Sequence, residues 1–182
     1  MGDRVLVVTG GSKGIGAATV RLAAAEGYRI ALNYVSDDAE AEATAEAARA
    51  LGAEVVTLKA DVSKLSEVEQ LFEEVDRRLG RTTHLVNNAG ITGPASRFAD
   101  VSCADLARVL DLNVKGALLV ARAAVRRIST ALGGSGGAIV NVSSAAARLG
   151  SPGEYVWYAA SKGAMDSFTV GLARDPAREG VR

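Results

Sequence analysis

Tyr158 and Lys162 stand four positions apart in the stretch EYVWYAASKGAM, residues 154–165. On a helix that spacing puts two side chains on one face about one turn apart, so a phenol and an ammonium can stand side by side. A phenol of unperturbed pKa about 10 is a poor base at neutral pH, and a neighbouring positive charge favours its phenolate. Such a pair can give and take a proton. Tyr155, seven positions from the lysine, has no such relation to it. The plainer reading of the same spacing is a half-buried ring capped by a solvated ammonium. The rest of the chain decides between the two.

The elements that would position this pair have to come from 182 residues, a length that suggests one domain over residues 1–182 with one sizeable core. Twenty-one basic and 21 acidic residues give a formal charge of zero, which leaves no polycationic surface for nucleic acid or an acidic membrane. A small-molecule partner is the expectation. The single cysteine, Cys103, cannot form an intrachain disulfide, and with one histidine, His84, it offers no metal cluster. No metal is expected, and a reducing, cytoplasmic setting fits. From Met1 the chain runs into DRVLVVTGG without an apolar stretch of signal or membrane-span length. Leu6 stands where a myristoylation signal after Gly2 needs Ser or Thr.

Short β-branched runs alternate with longer Ala-rich amphipathic ones: RVLVVT then GIGAATVRLAAAEG, RIALNY then DDAEAEATAEAARALG, VVTLKADV then SEVEQLFEEVDRRLG. The pattern predicts strand, helix, strand, helix. Gly27, Gly52 and Gly80 follow helical runs as left-handed caps, and Ser102 with Asp105 opens the next helix as a capping pair. HLVNNAG continues as a strand, followed by a helical stretch from about Ser102 to Leu132, the loop GGSGG at 133–137, the strand AIVNVSS and a last helix through YAASKGAMDSFTVGLARD. Strands that are apolar almost throughout and joined by helices imply a parallel sheet covered on both faces. The expected fold is α/β, a doubly wound, three-layer Rossmann sheet whose ligands sit beyond the C-terminal strand ends.

The first strand runs into TGGSKGIG, Thr9 to Gly16, which opens a helix. Glycines at 10, 14 and 16 let the turn tighten and let backbone approach a pyrophosphate, whose charge a helix N-terminus stabilises. Lys13 is followed by Gly14 rather than Ser or Thr, so this is no Walker loop.

TGGSKGIG, NNAG at 87–90, Asn113 in LNVKG, Ser144 in IVNVSS and YAASK at 158–162 together resemble the short-chain dehydrogenase/reductase family, in the same order and with nearly the usual separations. The resemblance covers essentially the whole chain. It implies an NAD(P)-dependent oxidoreductase acting on a carbonyl or alcohol and assembled as a homo-tetramer or homodimer. Carried onto this sequence, it makes Tyr158 the catalytic acid/base. Lys162 supplies its neighbouring charge and holds the nicotinamide ribose, Ser144 hydrogen-bonds the substrate oxygen, and Asn113 supports a water path to the lysine. Ser144 is preferred to Ser143 because adjacent strand residues point to opposite faces. Tyr155 is at most a pocket wall.

The same resemblance gives the cofactor contacts as Gly10, Ser12, Lys13, Gly14, Ile15 and Gly16 in the turn, Asp61 and Val62 at the adenine, and Asn88, Ala89 and Gly90 beside the adenosine half. Trp157 reads as packing and Arg148 as a solvated charge. The carboxylate that would bind a ribose 2′-hydroxyl at the end of the second strand is missing, with Asn33 and Tyr34 in its place. Lys13 stands where relatives that prefer NADP carry a basic residue, although Val35 sits where many place an Arg. NADP is the expected cofactor, with NAD also open.

Relatives run to roughly 250 residues, and AREGVR falls where their sixth strand begins. The C-terminal strands and the substrate-covering segment of the family are therefore expected to be absent, with AIVNVSS left at a sheet edge. Two readings follow. One is an NADP(H)-dependent carbonyl reductase or alcohol dehydrogenase; the other is a catalytically silent remnant that binds a nucleotide or a partner subunit. Pro176 should end the last helix.

Overall fold

Alternation along the first strand builds both faces of the sheet at once. In β1 (Val5–Val8), Val5 and Val7 pack into one buried cluster while Leu6 and Val8 pack into another, as the two-residue period of a strand requires. The computed structural model describes residues 4–182. Met1 and Gly2, where the N-terminal reading begins, lie outside the described residues.

β1 pairs in parallel with β2 (Arg29–Tyr34) and β4 (His84–Asn87), β2 with β3 (Val55–Lys59), and β4 with β5 (Ala138–Asn141). The order is β3-β2-β1-β4-β5. Parallel pairing sends every strand's C-terminal end to the same edge of the sheet, which is why the glycine turn after β1, NNAG after β4 and the serines after β5 converge. The helices α1 (Gly14–Ala25) and α2 (Asp38–Arg49) cover one face through Val20, Ala41, Ala45 and Ala48. Along α3 (Leu65–Arg78), Leu71, Phe72 and Val75 recur at helical spacing and meet Val120, Ala124 and Ile128 of α5 (Ala117–Ile128) over the other face. This is the doubly wound, Rossmann-type α/β fold that the alternating pattern predicts.

The caps fall where the sequence places them. Gly27, Gly52 and Gly80 all have positive φ. Ser102 accepts a hydrogen bond from the Asp105 amide and opens α4 (Cys103–Leu110).

The expected single helix from 102 to 132 is interrupted. Between α4 and α5, Asp111–Gly116 forms a wider π-helical turn, and Thr130–Leu132 is a separate short turn. The widened turn carries Asn113, 1 % exposed, whose side chain accepts from the Ile91 amide (2.9 Å) and donates to the Ile91 carbonyl (2.8 Å). That tertiary bond pair holds the widened turn in a segment, DLNVKG, whose Asp, Asn, Val and Gly are weak helix formers.

α7 (Val156–Arg174) ends one residue before Asp175-Pro176, as the proline requires, and a short turn, Ala177–Glu179, follows. The chain then returns to the sheet. Gly180 and Arg182 bond to Gly137 and Ile139 along the outer side of β5, which sets Val181 opposite Gly137, and Val181 is buried at 2 %. β5 is thus the sheet edge expected from the sequence, covered at its start and open further on, where Val140 is exposed. Truncating a buried Val181 deletes two methyl groups from the core, so Val181→Ala should lower the unfolding free energy by about 2 kcal/mol. Urea titration reads this out, and a loss indistinguishable from zero would mean that these last residues are frayed.

Candidate functional site

Tyr158 sits in the first turn of α7 with Lys162 one turn on, and the lysine ammonium lies 5.9 Å from the centre of the phenol ring. The two are side by side, as their spacing predicts. The alternative of a solvated ammonium does not hold, because Lys162 is 6 % exposed. Its Nζ donates to the Val142 carbonyl at 2.7 Å, just beyond the end of β5.

That acceptor meets the need of the buried charge, and further bonds hold the helix that carries it. Nδ2 of Asn113 donates to Ser161 Oγ (3.1 Å), and that hydroxyl donates to the Tyr158 carbonyl (2.7 Å). The widened turn is thereby tied to the first turn of α7. On the far side, a methyl group added at Gly90 would lie 3.2 Å from Asn113 Oδ1 and 3.7 Å from Lys162 Nζ, so the ammonium stands directly behind this glycine. Trp157 is buried and donates its ring N–H to the Thr92 carbonyl (2.9 Å), a packing role as expected. Tyr155 forms the N-cap of α7 and meets Trp157 edge-on. Arg148 is exposed.

The serines behave differently from their expectation. β5 stops at Asn141, so Ser143 and Ser144 lie past the strand and the alternation of strand faces does not apply to them. Ser144 Oγ accepts from the Ala146 amide (3.1 Å) at the start of α6 (Ala146–Leu149), while Ser143 Oγ lies 3.5 Å from the Lys162 carbonyl.

At the other end lies the glycine turn. A Cβ on Gly16 would fall 2.2 Å from the Gly10 carbonyl oxygen, a position only glycine can hold, and Gly14 has φ +56° with open space in front of it. The first turn of α1 carries no acidic residue, and the Lys13 side chain makes no cap bond. Helix N–H groups, glycines that let backbone approach closely and a first helical turn without a carboxylate suit a pyrophosphate.

Asn88 braces this turn, donating to the carbonyls of Thr9 (2.9 Å) and Gly10 (3.1 Å). The fully buried Thr9 hydroxyl accepts from the amides of Asn88 and Ala89. Neither Thr9 nor Ser161 was foreseen as a site residue. Thr9 carries a faint signal in its place at the strand end ahead of the glycines, and Ser161 carries none.

A cleft of about 330 Å³ runs between these groups, lined by Gly10, Ser12, Lys13, Ile15, Asn88, Ala89 and Gly90 together with residues 33–37 after β2. It opens into a second hollow of about 600 Å³ bordered by Asp61, Ser63 and Arg108, the two sharing Val35, Ser36, Ile91 and Leu112. Asp61 accepts from the Ser63 amide and hydroxyl. Burial pushes its carboxyl up, but those bonds and nearby Lys64 outweigh this and hold it below the ordinary value. Val62 is 1 % exposed. Asn33 spends its amide on the carbonyls of Leu58 and Ala60, so it braces β3 rather than reading a ribose. Among the described residues no three His, Cys, Asp or Glu side chains form a metal-holding group, and no helix is long and apolar enough to cross a membrane.

With this geometry in view, the chain's likeness to known proteins has a definite meaning. The sequence model of the short chain dehydrogenase family matches residues 4–182, and the chain belongs to that family of oxidoreductases. It is 46 % identical over 178 residues to the uncharacterized oxidoreductase YgfF of Escherichia coli K12, covering 98 % of this chain and 72 % of that protein. Its fold superposes with a TM-score of 0.91 on an NADH-dependent reductase, A1-R′, complexed with NAD (26 % identity; 98 % of this chain, 75 % of that one). A short chain dehydrogenase from Burkholderia cenocepacia J2315 in complex with NADP gives 0.90 (34 % identity; 98 % and 70 %). A nicotinamide cofactor is thus common ground, in both its forms.

Burial lowers the pKa of Lys162 from the ordinary 10.5, against a smaller opposing pull from Asp166. Between the folded value and 10.5 the unfolded chain therefore binds more protons than the native one, so this residue's contribution to stability rises with pH across that window. Its cost is fully present below the folded value. The unfolding free energy of the unmutated chain minus that of Lys162→Met should accordingly climb as pH approaches 10.5. Denaturant melts at several alkaline pH values measure it, and a flat difference would show that the ammonium is effectively solvated.

Proposed function

We propose that this chain is an NADP(H)-dependent reductase or dehydrogenase that interconverts a carbonyl and an alcohol, with Asn113, Ser144, Tyr158 and Lys162 as its catalytic group. The observation that carries the reading is the buried Lys162 ammonium, held on the Val142 carbonyl beside the Tyr158 ring and directly behind Gly90, which lines the same cleft as the glycine turn. Gly10, Ser12, Lys13, Gly14, Ile15 and Gly16 would hold the pyrophosphate and the adenosine ribose. Asn88, Ala89 and Gly90 would wall the adenosine side, Asp61 and Val62 would meet the adenine, and Tyr158 and Lys162 would meet the nicotinamide ribose. The nicotinamide, when bound, supplies or accepts the hydride.

The chain's own residues handle the proton. In the reducing direction the Tyr158 hydroxyl donates its proton to the substrate oxygen as that oxygen gains an electron pair, and the adjacent Lys162 charge stabilises the phenolate left behind. Oxidation runs the same transfer backwards. Ser144, once its hydroxyl turns from the Ala146 amide, donates a hydrogen bond to the same oxygen and fixes the carbonyl in place. Asn113 keeps the widened turn and α7 in register, which positions the lysine. For the choice of NADP, the support is Lys13 in the lining of the cleft and Asn33 near the end of β2, in the place of a ribose-binding carboxylate and spent on β3.

Removing only the proton donor separates chemistry from binding. Tyr158→Phe should lower the turnover of reactive carbonyls by about 10²-fold or more while leaving the calorimetric affinity for NADPH within a few-fold. Tyr155→Phe should do little. Equal losses in the two variants would assign the wrong tyrosine.

A further inference from the structure

Lys13, the residue on which a 2′-phosphate preference would rest, is not unopposed. Its ammonium is 3.5 Å from a carboxylate oxygen of Glu40, and both side chains are largely in solvent, 72 % and 48 % exposed. Glu40 is well anchored at its backbone: it lies in the first turn of α2, and its amide donates to Asp37 Oδ1 at 3.0 Å. Asp37 and residues 33–36 form the wall of the cleft that faces Lys13. Lys59, at the end of β3, is engaged by Asp38 at 3.0 Å. At this corner Lys13 thus meets the Glu40 carboxylate beside a cleft wall that also carries Asp37.

We infer that Glu40 sets how strongly this chain discriminates a ribose 2′-phosphate from a 2′-hydroxyl, by sharing the Lys13 ammonium with whatever anion enters the corner. This rests on the cofactor reading proposed above and deepens it. An incoming phosphate near −2 must draw Lys13 from Glu40 and also sits close to the Glu40 charge; a 2′-hydroxyl does neither. A solvent-exposed pair of this kind is weak, so the penalty is a tuning of several-fold rather than a bar. Salt should shrink it.

The test is calorimetric titration of AMP and of adenosine 2′,5′-bisphosphate, which differ only in the 2′-phosphate, into the unmutated chain, Glu40→Gln, Lys13→Ala and the double variant at low salt. Glu40→Gln should bind the bisphosphate about fivefold more tightly with AMP unchanged within about twofold, and the gain should vanish in the double variant. No gain, an equal gain for both nucleotides, or a gain that survives without Lys13 would overturn the inference. If neither nucleotide binds the unmutated chain, the cofactor reading falls and the inference with it. If both bind and Glu40→Gln leaves their ratio alone, the inference alone falls.

Discussion

Among the described residues, Lys162 is the charged side chain that the fold buries and therefore has to accommodate. It is nearly out of solvent, and a lysine in that position is tolerated only with a good acceptor within reach. The acceptor is the Val142 carbonyl, which is free because β5 has ended and the chain is turning away. Everything next to the lysine follows from holding that geometry. α7 must start where Tyr158 falls on the lysine's side, and Ser161 must stand between Asn113 and the backbone of Tyr158. The helix that carries Asn113 must widen by a turn to bring it inward.

The other end of the cleft is governed by close approach instead of charge. Gly16 packs on the Gly10 carbonyl with no room for a side chain, and Thr9 and Asn88 bind the turn to the end of β4. NNAG therefore has a mechanical part in the site: it fixes the glycine turn relative to Gly90, behind which the lysine ammonium lies. A parallel sheet places both ends on one edge, and the stretch 88–90 joins them.

Much of this could be read from the residues before any coordinates. The alternation of strands and helices, the cap glycines and the Tyr158–Lys162 pairing are local or periodic features, and local chemistry decides them. What stayed hidden depends on contacts distant in sequence. DLNVKG holds weak helix formers but nothing that marks a widened turn, which is held by Asn113 on the backbone of Ile91, 22 residues away. Ser144 was chosen over Ser143 by strand alternation, and the strand ends before either. Glu40 is 27 positions from Lys13, and the helix on which it sits reads as an ordinary acidic, Ala-rich segment. Asn33 looked like a missing ribose ligand and is a brace between strands.

The account stands on one dinucleotide bridging the glycine turn and Lys162. A crystal structure of the chain grown with NADPH tests this most directly. The predicted result is a pyrophosphate against the backbone of Gly14 to Gly16, with Lys162 Nζ still on the Val142 carbonyl and in hydrogen-bond reach of the nicotinamide ribose. A nucleotide seated elsewhere, or a Lys162 side chain turned away from it into solvent, would contradict the account.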